Sequence, residues 1–207
     1  MTGPVPDPTA FDDRDERNTY YELAIQLTPG ADTAAALRAA WEHPDLDGCY
    51  LDGFAAPGDQ ERLAPGDLTL PAAQSTYGWA GTPAGRMACV THVVTAPGGE
   101  AGDRVDVCLP VGALERLVPT IRHPIDGYEQ NRVWREPLDV WFTTVADRVA
   151  RAVPIVVAYV GEDVSGLDLP LGPAGDPPAE RGVSVLVPAR HGPGVARFAP
   201  TRWFTPW

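Results

Sequence analysis

The 207-residue chain carries 28 acidic and 16 basic residues, a formal net charge of -12, and every basic residue is an arginine. The absence of lysine excludes Schiff-base, P-loop NTPase and kinase-type chemistry, because each of these uses a lysine. The acidic surplus, with no run of bases, argues against a nucleic-acid partner. Abundant arginine, alanine, proline and glycine without lysine indicate a GC-rich bacterium as the source.

The cellular setting is inferred from segments that the sequence lacks. No stretch reaches the roughly 18 apolar residues of a membrane span, and the N-terminus has neither the basic nor the apolar region of a signal peptide. Cys49, Cys89 and Cys108 are odd in number and lie in apolar runs, which is typical of reduced, buried thiols. We therefore predict a cytoplasmic protein that does not associate with membranes.

The first half of the chain contains a tail, a β-α-β unit and a long connection. Residues 1–18 are acidic and rich in proline, and we predict that they form a disordered tail outside a single domain over 19–207. Alternating residues predict strands over 19–27 and 47–54, with a helix between them that Pro44 ends. Residues 55–85 read as a connection with one short strand at 68–70.

The second half begins with a hairpin. Residues 86–96 and 104–111 alternate around a glycine-rich turn and predict paired strands, and one helical turn follows. Apolar residues spaced by three and four predict a helix with Pro137 in its first turn. Apolar runs predict strands from residue 153 and over 183–189, with a last edge strand near 194–198.

This order of elements predicts an α+β two-layer sandwich. About six strands form a mixed or mostly antiparallel sheet, and two main helices lie on one face. An elaborated ferredoxin-like arrangement would satisfy the same order.

Two sets of residues could support catalysis in such a fold. Glu162 and Asp163 end an apolar strand, where open sheets hold ligands, although adjacent residues of an extended chain point to opposite faces. His92 could lie opposite Asp106 across the hairpin, which would give two members of a catalytic triad, but serines occur only at 75, 165 and 184. A hydrolase or lyase that uses His92 with Asp106 or Glu162 is the alternative that these residues leave open.

Metal and cofactor sites are not indicated. Cys89 and His92 are three residues apart on a predicted strand and so face opposite sides, and no second pair is placed to complete a zinc site. We expect no metal and no cofactor.

Since no complete catalytic set emerges, we favour a non-catalytic domain that binds another, basic protein, such as an immunity or antitoxin-like neutraliser. Its binding surface would consist of surplus acids and of an aromatic C-terminus that either packs back on the domain or docks on the partner. A structural component of a larger assembly, with that C-terminus as its plug, is a second alternative. The sequence leaves the oligomeric state open. The predicted binding residues are Asp45, Asp47, Asp52, Asp59, Glu61, Glu162, Asp163, Trp203 and Trp207.

Overall fold

The structure is a computed structural model that describes residues 19–70, 74–96, 102–125, 128–166, 183–188 and 195–198. The predicted tail, residues 1–18, and the aromatic C-terminus, including Trp203 and Trp207, lie outside these residues. Within them the strands are β1 (Tyr20–Leu27), β2 (Leu46–Tyr50), β3 (Ser75–Thr82), β4 (Gly85–Val94), β5 (Arg104–Pro110), β6 (Ile155–Glu162), β7 (Ser184–Pro188) and β8 (Val195–Phe198). The helices are α1 (Thr33–Trp41), α2 (Val111–Leu117) and α3 (Arg132–Ala152).

All the described strands belong to one sheet, in the order β2-β3-β4-β5-β1-β6-β7-β8, and every neighbouring pair is antiparallel. Within it, β1, α1, β4, β5, α3 and β6 follow the β-α-β-β-α-β order of a ferredoxin-like fold. The crossover through α3 links β5 to β6, which lie on either side of β1. The chain is therefore α+β, as predicted, and β2–β3 and β7–β8 elaborate the two edges.

The two longer helices cover one face of the sheet. Alternate residues of β1, from Tyr21 to Leu27, join the main core with the apolar residues of α1 and α3. We call this side the helix face. The opposite, helix-free face carries a smaller apolar cluster around Ala24, Tyr159 and Val185. The central strands are thus buried on both faces, which explains their nearly continuous apolar sequence.

A buried polar network joins α3 to the sheet. Arg135 is fully buried, and its Nε donates a 2.5 Å hydrogen bond to the hydroxyl of Tyr21. Asp139, one turn later, accepts hydrogen bonds from that hydroxyl and, at 2.5 Å, from Ser184, and lies 3.6 Å from Arg135. A buried arginine requires such partners, because the cost of removing a charge from water is several kcal/mol, on the order of the stability of many domains.

Strand β3 was not predicted. The sequence predicts a long connection over residues 55–85 with one short strand at 68–70, whereas the structure has a strand over Ser75–Thr82. Gly78 and Gly81 interrupt the β pattern of this strand. Gly78 is there for packing, since a Cβ on it would lie 2.8 Å from the indole of Trp41 and 2.6 Å from the carbonyl oxygen of Asp47. Leu68 instead follows a short 3-10 turn over Pro65–Asp67 and is buried.

Two element boundaries also differ from those predicted. Helix α3 begins at Arg132 and contains Pro137 beyond its first turn, whereas the sequence predicts this proline in the first turn. Strand β2 ends at Tyr50 and does not continue to Phe54, because a bulge between Gly48 and Tyr50, with a φ of 98° at Cys49, turns the chain out of the sheet.

All three cysteines are free and buried, as predicted. Burial raises the pKa of the Cys49 and Cys89 thiols to about 12 and also raises the pKa of Cys108. No described helix is both long enough and apolar enough to cross a membrane.

Candidate functional site

The edge of the sheet at β2 is strongly acidic. Residues 45–67, here called the acidic edge, contain six acids and one base, Arg62. All six acidic side chains are exposed. They are Asp45, Asp47, Asp52, Asp59, Glu61 and Asp67. Five of the nine predicted binding residues therefore lie together on this segment.

Side-chain hydrogen bonds fix the loop that follows β2. The carboxylate of Asp52 accepts from the backbone N–H groups of Phe54, at 2.8 Å, and Ala55, at 3.2 Å. The Gln60 amide closes the loop from the other end, donating to the carbonyl oxygens of Asp52 at 2.6 Å and Ala55 at 2.9 Å. Its oxygen accepts from Asp52 N at 3.1 Å. Residues 52–60 thus form a closed loop.

The same loop is attached to the sheet. Gly53 is buried against the ring of Tyr77 so closely that a Cβ on it would lie 2.5 Å from a ring carbon. Leu63 N donates to the carbonyl oxygen of Cys49 at 3.0 Å, and Arg62 Nε to that of Gly48 at 3.2 Å. These contacts occupy backbone acceptors of the edge strand that could otherwise pair with another chain.

Phe54 extends from this fixed loop into solvent. Its side chain is 79% exposed, and Leu51 at the start of the loop is 43% exposed. Because Gln60 holds Asp52 and Ala55, the flanking Asp59 and Glu61 lie beside the segment that carries Phe54. The loop therefore presents an aromatic ring among carboxylates. Sequence reasoning assigned Phe54 to a strand and missed this exposure.

The six acids differ in their partners. Asp47 is paired with Arg62 at 2.8 Å and with Arg86 at 3.1 Å, and Asp45 accepts a 3.2 Å hydrogen bond from the indole of Trp141. Asp52 holds the loop closed. Asp59 and Glu61 are exposed on either side of Gln60 in the chain, and their charge is therefore available to a partner.

Glu162 and Asp163, predicted together with the loop acids, lie elsewhere and have structural contacts. Glu162 accepts hydrogen bonds from Ile125 N at 2.5 Å and from His123 at 3.2 Å, and His123 also contacts Glu115 at 2.7 Å. Asp163 accepts from Tyr20 N at 3.0 Å. Strand β6 lies five strand spacings from β2, about 24 Å. These two acids are therefore not part of the acidic edge.

The predicted pairing of His92 with Asp106 is confirmed, since the two residues lie directly opposite in β4 and β5. The register continues to Ser75 on β3, whose hydroxyl lies 2.9 Å from His92 Nδ1. Asp106 is almost fully buried, and both of its oxygens accept hydrogen bonds from Arg104, at 2.8 and 3.1 Å. Burial raises the pKa of Asp106 to about 6 in spite of Arg104. We call Ser75, His92 and Asp106 the polar row.

The structure does not bring Glu162 to His92. Glu162 pairs with Tyr21, a residue of the main core, and therefore lies on the helix face. The polar row is in register with Ala24, which belongs to the cluster on the helix-free face. The sheet itself thus separates the two side chains, and an enzyme that uses His92 with Glu162 is not supported.

Neither metal-binding geometry nor a known relative identifies the chain. Among the described residues, no group of three or more histidine, cysteine, aspartate or glutamate side chains is arranged to hold a metal ion. No protein-family model matches the sequence, and no similar protein was found among curated proteins or solved structures.

Proposed function

We propose that this protein acts by binding another, basic protein through the acidic edge, in the manner of an immunity or antitoxin-like neutraliser. On this proposal it needs no cofactor and performs no chemistry on its partner. The acids that contribute are Asp59 and Glu61, which flank Gln60, with Asp45, Asp47 and Asp52 on the same acidic edge.

The observation that carries the proposal is the closed loop itself. Exposed acids are common on protein surfaces, but here the Asp52 and Gln60 side chains hold the backbone of an exposed, acidic segment in one conformation. A segment that is already ordered loses less conformational entropy when it binds. Its order therefore favours recognition over a merely solvating role.

Charge complementarity of this kind acts mainly on the rate of association. Opposite charges on two proteins steer their encounter, and salt screens this field over about 8 Å at physiological ionic strength. Once the complex has formed, exposed charges contribute little. Association with the partner should therefore slow steeply as salt rises, while dissociation changes little.

The test is a stopped-flow measurement of association with the basic protein that co-purifies with this chain from its source organism, at increasing sodium chloride concentrations. Replacing Asp59 and Glu61 together by arginine should slow association at least about tenfold at low salt. A matched control replaces Glu129 and Glu136, two exposed acids near the start of α3, by arginine. Equal effects of the two double variants, or association that does not depend on salt, would refute the proposal.

The polar row supports a second candidate, a small hydrolase. The contact of 2.9 Å between the Ser75 hydroxyl and His92 Nδ1 is the distance at which an imidazole can accept a proton from a nucleophile. Asp106 stands on the other side of His92, as an orienting carboxylate would. Against this candidate, Arg104 already occupies both oxygens of Asp106.

Ester hydrolysis tests the second candidate directly. Turnover of p-nitrophenyl acetate that is lost in both His92→Ala and Ser75→Ala, and kept in Ser165→Ala, would favour the enzyme and overturn the binding proposal. Equal background hydrolysis by all four proteins would leave the polar row as a structural ladder across three strands.

A further inference from the structure

We infer that Phe54 is the anchor of the proposed interface and enters an apolar pocket, ringed by basic side chains, on the surface of a folded partner protein. This inference rests on the proposed function and adds to it the residue that carries the affinity and the kind of surface that receives it.

Phe54 is exposed on an ordered backbone. A phenylalanine side chain has on the order of 150–250 Å² to bury, and that of Phe54 is 79% exposed while its own N–H is bound to Asp52. The closed loop and the packing of Gly53 on Tyr77 limit the freedom of the segment to fold back over its own ring. An aromatic ring held out in this way is suited to a partner, since aromatic residues dominate binding energy at interfaces.

Carboxylates flank the segment that carries Phe54. Asp52 and Asp59 belong to the closed loop and Glu61 follows it directly, so a pocket that accepts Phe54 brings its rim against carboxylates. A rim of arginine or lysine is complementary to them, and an acidic rim would be repelled. A second copy of this chain carries the same net charge of -12 and is therefore disfavoured as the occupant.

The backbone contacts of β2 favour a folded partner over an extended peptide. An extended peptide that added a strand to β2 would need the outer backbone of that strand, but Arg62 and Leu63 already contact the carbonyl oxygens of Gly48 and Cys49. The acidic edge therefore does not present an open strand at these positions. A single exposed ring on a rigid loop is instead complementary to a preformed pocket, as folded proteins provide.

The experiment uses the full-length chain. Phe54→p-benzoylphenylalanine is crosslinked by light in a lysate of the source bacterium, with the same photoreactive residue at Leu117 as a control, since Leu117 is also exposed, at 41%, but lies on α2. Each protein that crosslinks from position 54 and not from position 117 is purified, and its dissociation constant for the wild-type chain, Phe54→Ala and Leu117→Ala is measured by calorimetry. We expect a folded basic protein whose affinity falls at least about 30-fold with Phe54→Ala and less than about twofold with Leu117→Ala.

Loosening the loop provides an independent measurement. Gln60→Ala keeps the Phe54 ring but removes the hydrogen bonds that close the loop. It should weaken binding about tenfold, because the loop then loses conformational entropy on association. Phe54→Ala and Gln60→Ala should both keep the wild-type melting temperature. A loss of affinity can then be separated from a loss of fold.

The inference is overturned if no folded basic protein crosslinks from position 54, or if the purified partner binds Phe54→Ala within about twofold of wild type. These results can be told apart from a failure of the proposed function. An unaffected Phe54→Ala together with slow association of the Asp59 and Glu61 double variant would remove the anchor and keep the acidic interface. A strong loss of affinity in Phe54→Ala, with association that does not depend on salt, would keep Phe54 as the anchor and remove the acidic interface.

Discussion

The acids at the end of β6 and the two acids that flank Gln60, Asp59 and Glu61, have the same chemistry and different roles. Glu162 accepts a hydrogen bond from the backbone N–H of Ile125, which attaches that segment to β6, and Asp163 accepts one from Tyr20, the first residue of β1. Asp59 and Glu61 flank Gln60, whose side chain makes the hydrogen bonds that close the loop. The carboxylates of Asp59 and Glu61 are exposed to solvent. The comparison shows that a surplus of acids divides into those that hold the fold and those that are available to a partner.

The largest difference in stability is expected between an acid in a buried ion pair and an acid in an exposed one. Helix α3 contains one pair of each kind, and in both the arginine and the acid are four residues apart. Asp139 is buried with Arg135, whereas Glu136 lies exposed, 3.5 Å from Arg132. Asp139→Ala leaves a buried arginine without its counter-charge and should lower the free energy of unfolding by about 3–5 kcal/mol. Glu136→Ala should lower it by less than about 1 kcal/mol. Urea denaturation measures both, and equal losses would mean that the buried network is not stabilising α3.

Removal of the Glu162 carboxylate should have an intermediate effect. Glu162→Ala leaves Ile125 N and His123 without an acceptor, and a hydrogen bond to a charged group contributes about 1.5–3 kcal/mol. We expect a loss of stability in that range, seen as a lower urea midpoint with an unchanged slope. A catalytic role for Glu162 would instead predict a stable variant without activity.

The third expected effect, which concerns Asp106, appears only when pH is varied. Burial raises its pKa from the ordinary value of 3.8 to about 6, so the folded chain keeps a proton that the unfolded chain loses between about pH 4 and 6. The contribution of this group to stability therefore falls as pH rises through that window. Asp106→Asn removes the titration, and the dependence of unfolding free energy on pH between about 4 and 6 should become less negative than in the wild type. An equally negative dependence in Asp106→Asn would contradict a raised pKa for Asp106.

The smallest effect on stability is expected from the acids that we assign to binding. Replacing Asp59 and Glu61 together by alanine should change the free energy of unfolding by no more than about 0.5 kcal/mol, since exposed charges contribute little. The same variant should slow association with the basic partner. A loss of more than about 2 kcal/mol would show that these acids belong with Glu162 and Asp163 as parts of the fold.

Much of the fold was readable in the sequence because hydrophobic periodicity is a local signal. The two main helices, the hairpin that places His92 opposite Asp106, and the buried free cysteines all follow from which residues alternate and which recur at three and four. The strand over 75–82 was lost because Gly78 breaks the alternation. The reason for that glycine, the indole of Trp41, lies 37 positions earlier in the chain.

The sequence by itself determined the α+β class, the acidic surplus and the absence of lysine chemistry, because composition and periodicity do not depend on which distant residues meet. Only the tertiary structure decided which acids stabilise the fold and which are exposed to a partner. Strand register placed Glu162 on the helix face, away from His92, and a bulge at β2 turned Phe54 out of the predicted strand into an exposed loop that Gln60 closes. Each of these outcomes depends on a contact between residues that are not neighbours in the chain or on a local departure from regular strand geometry, and a pattern of residue types does not encode either.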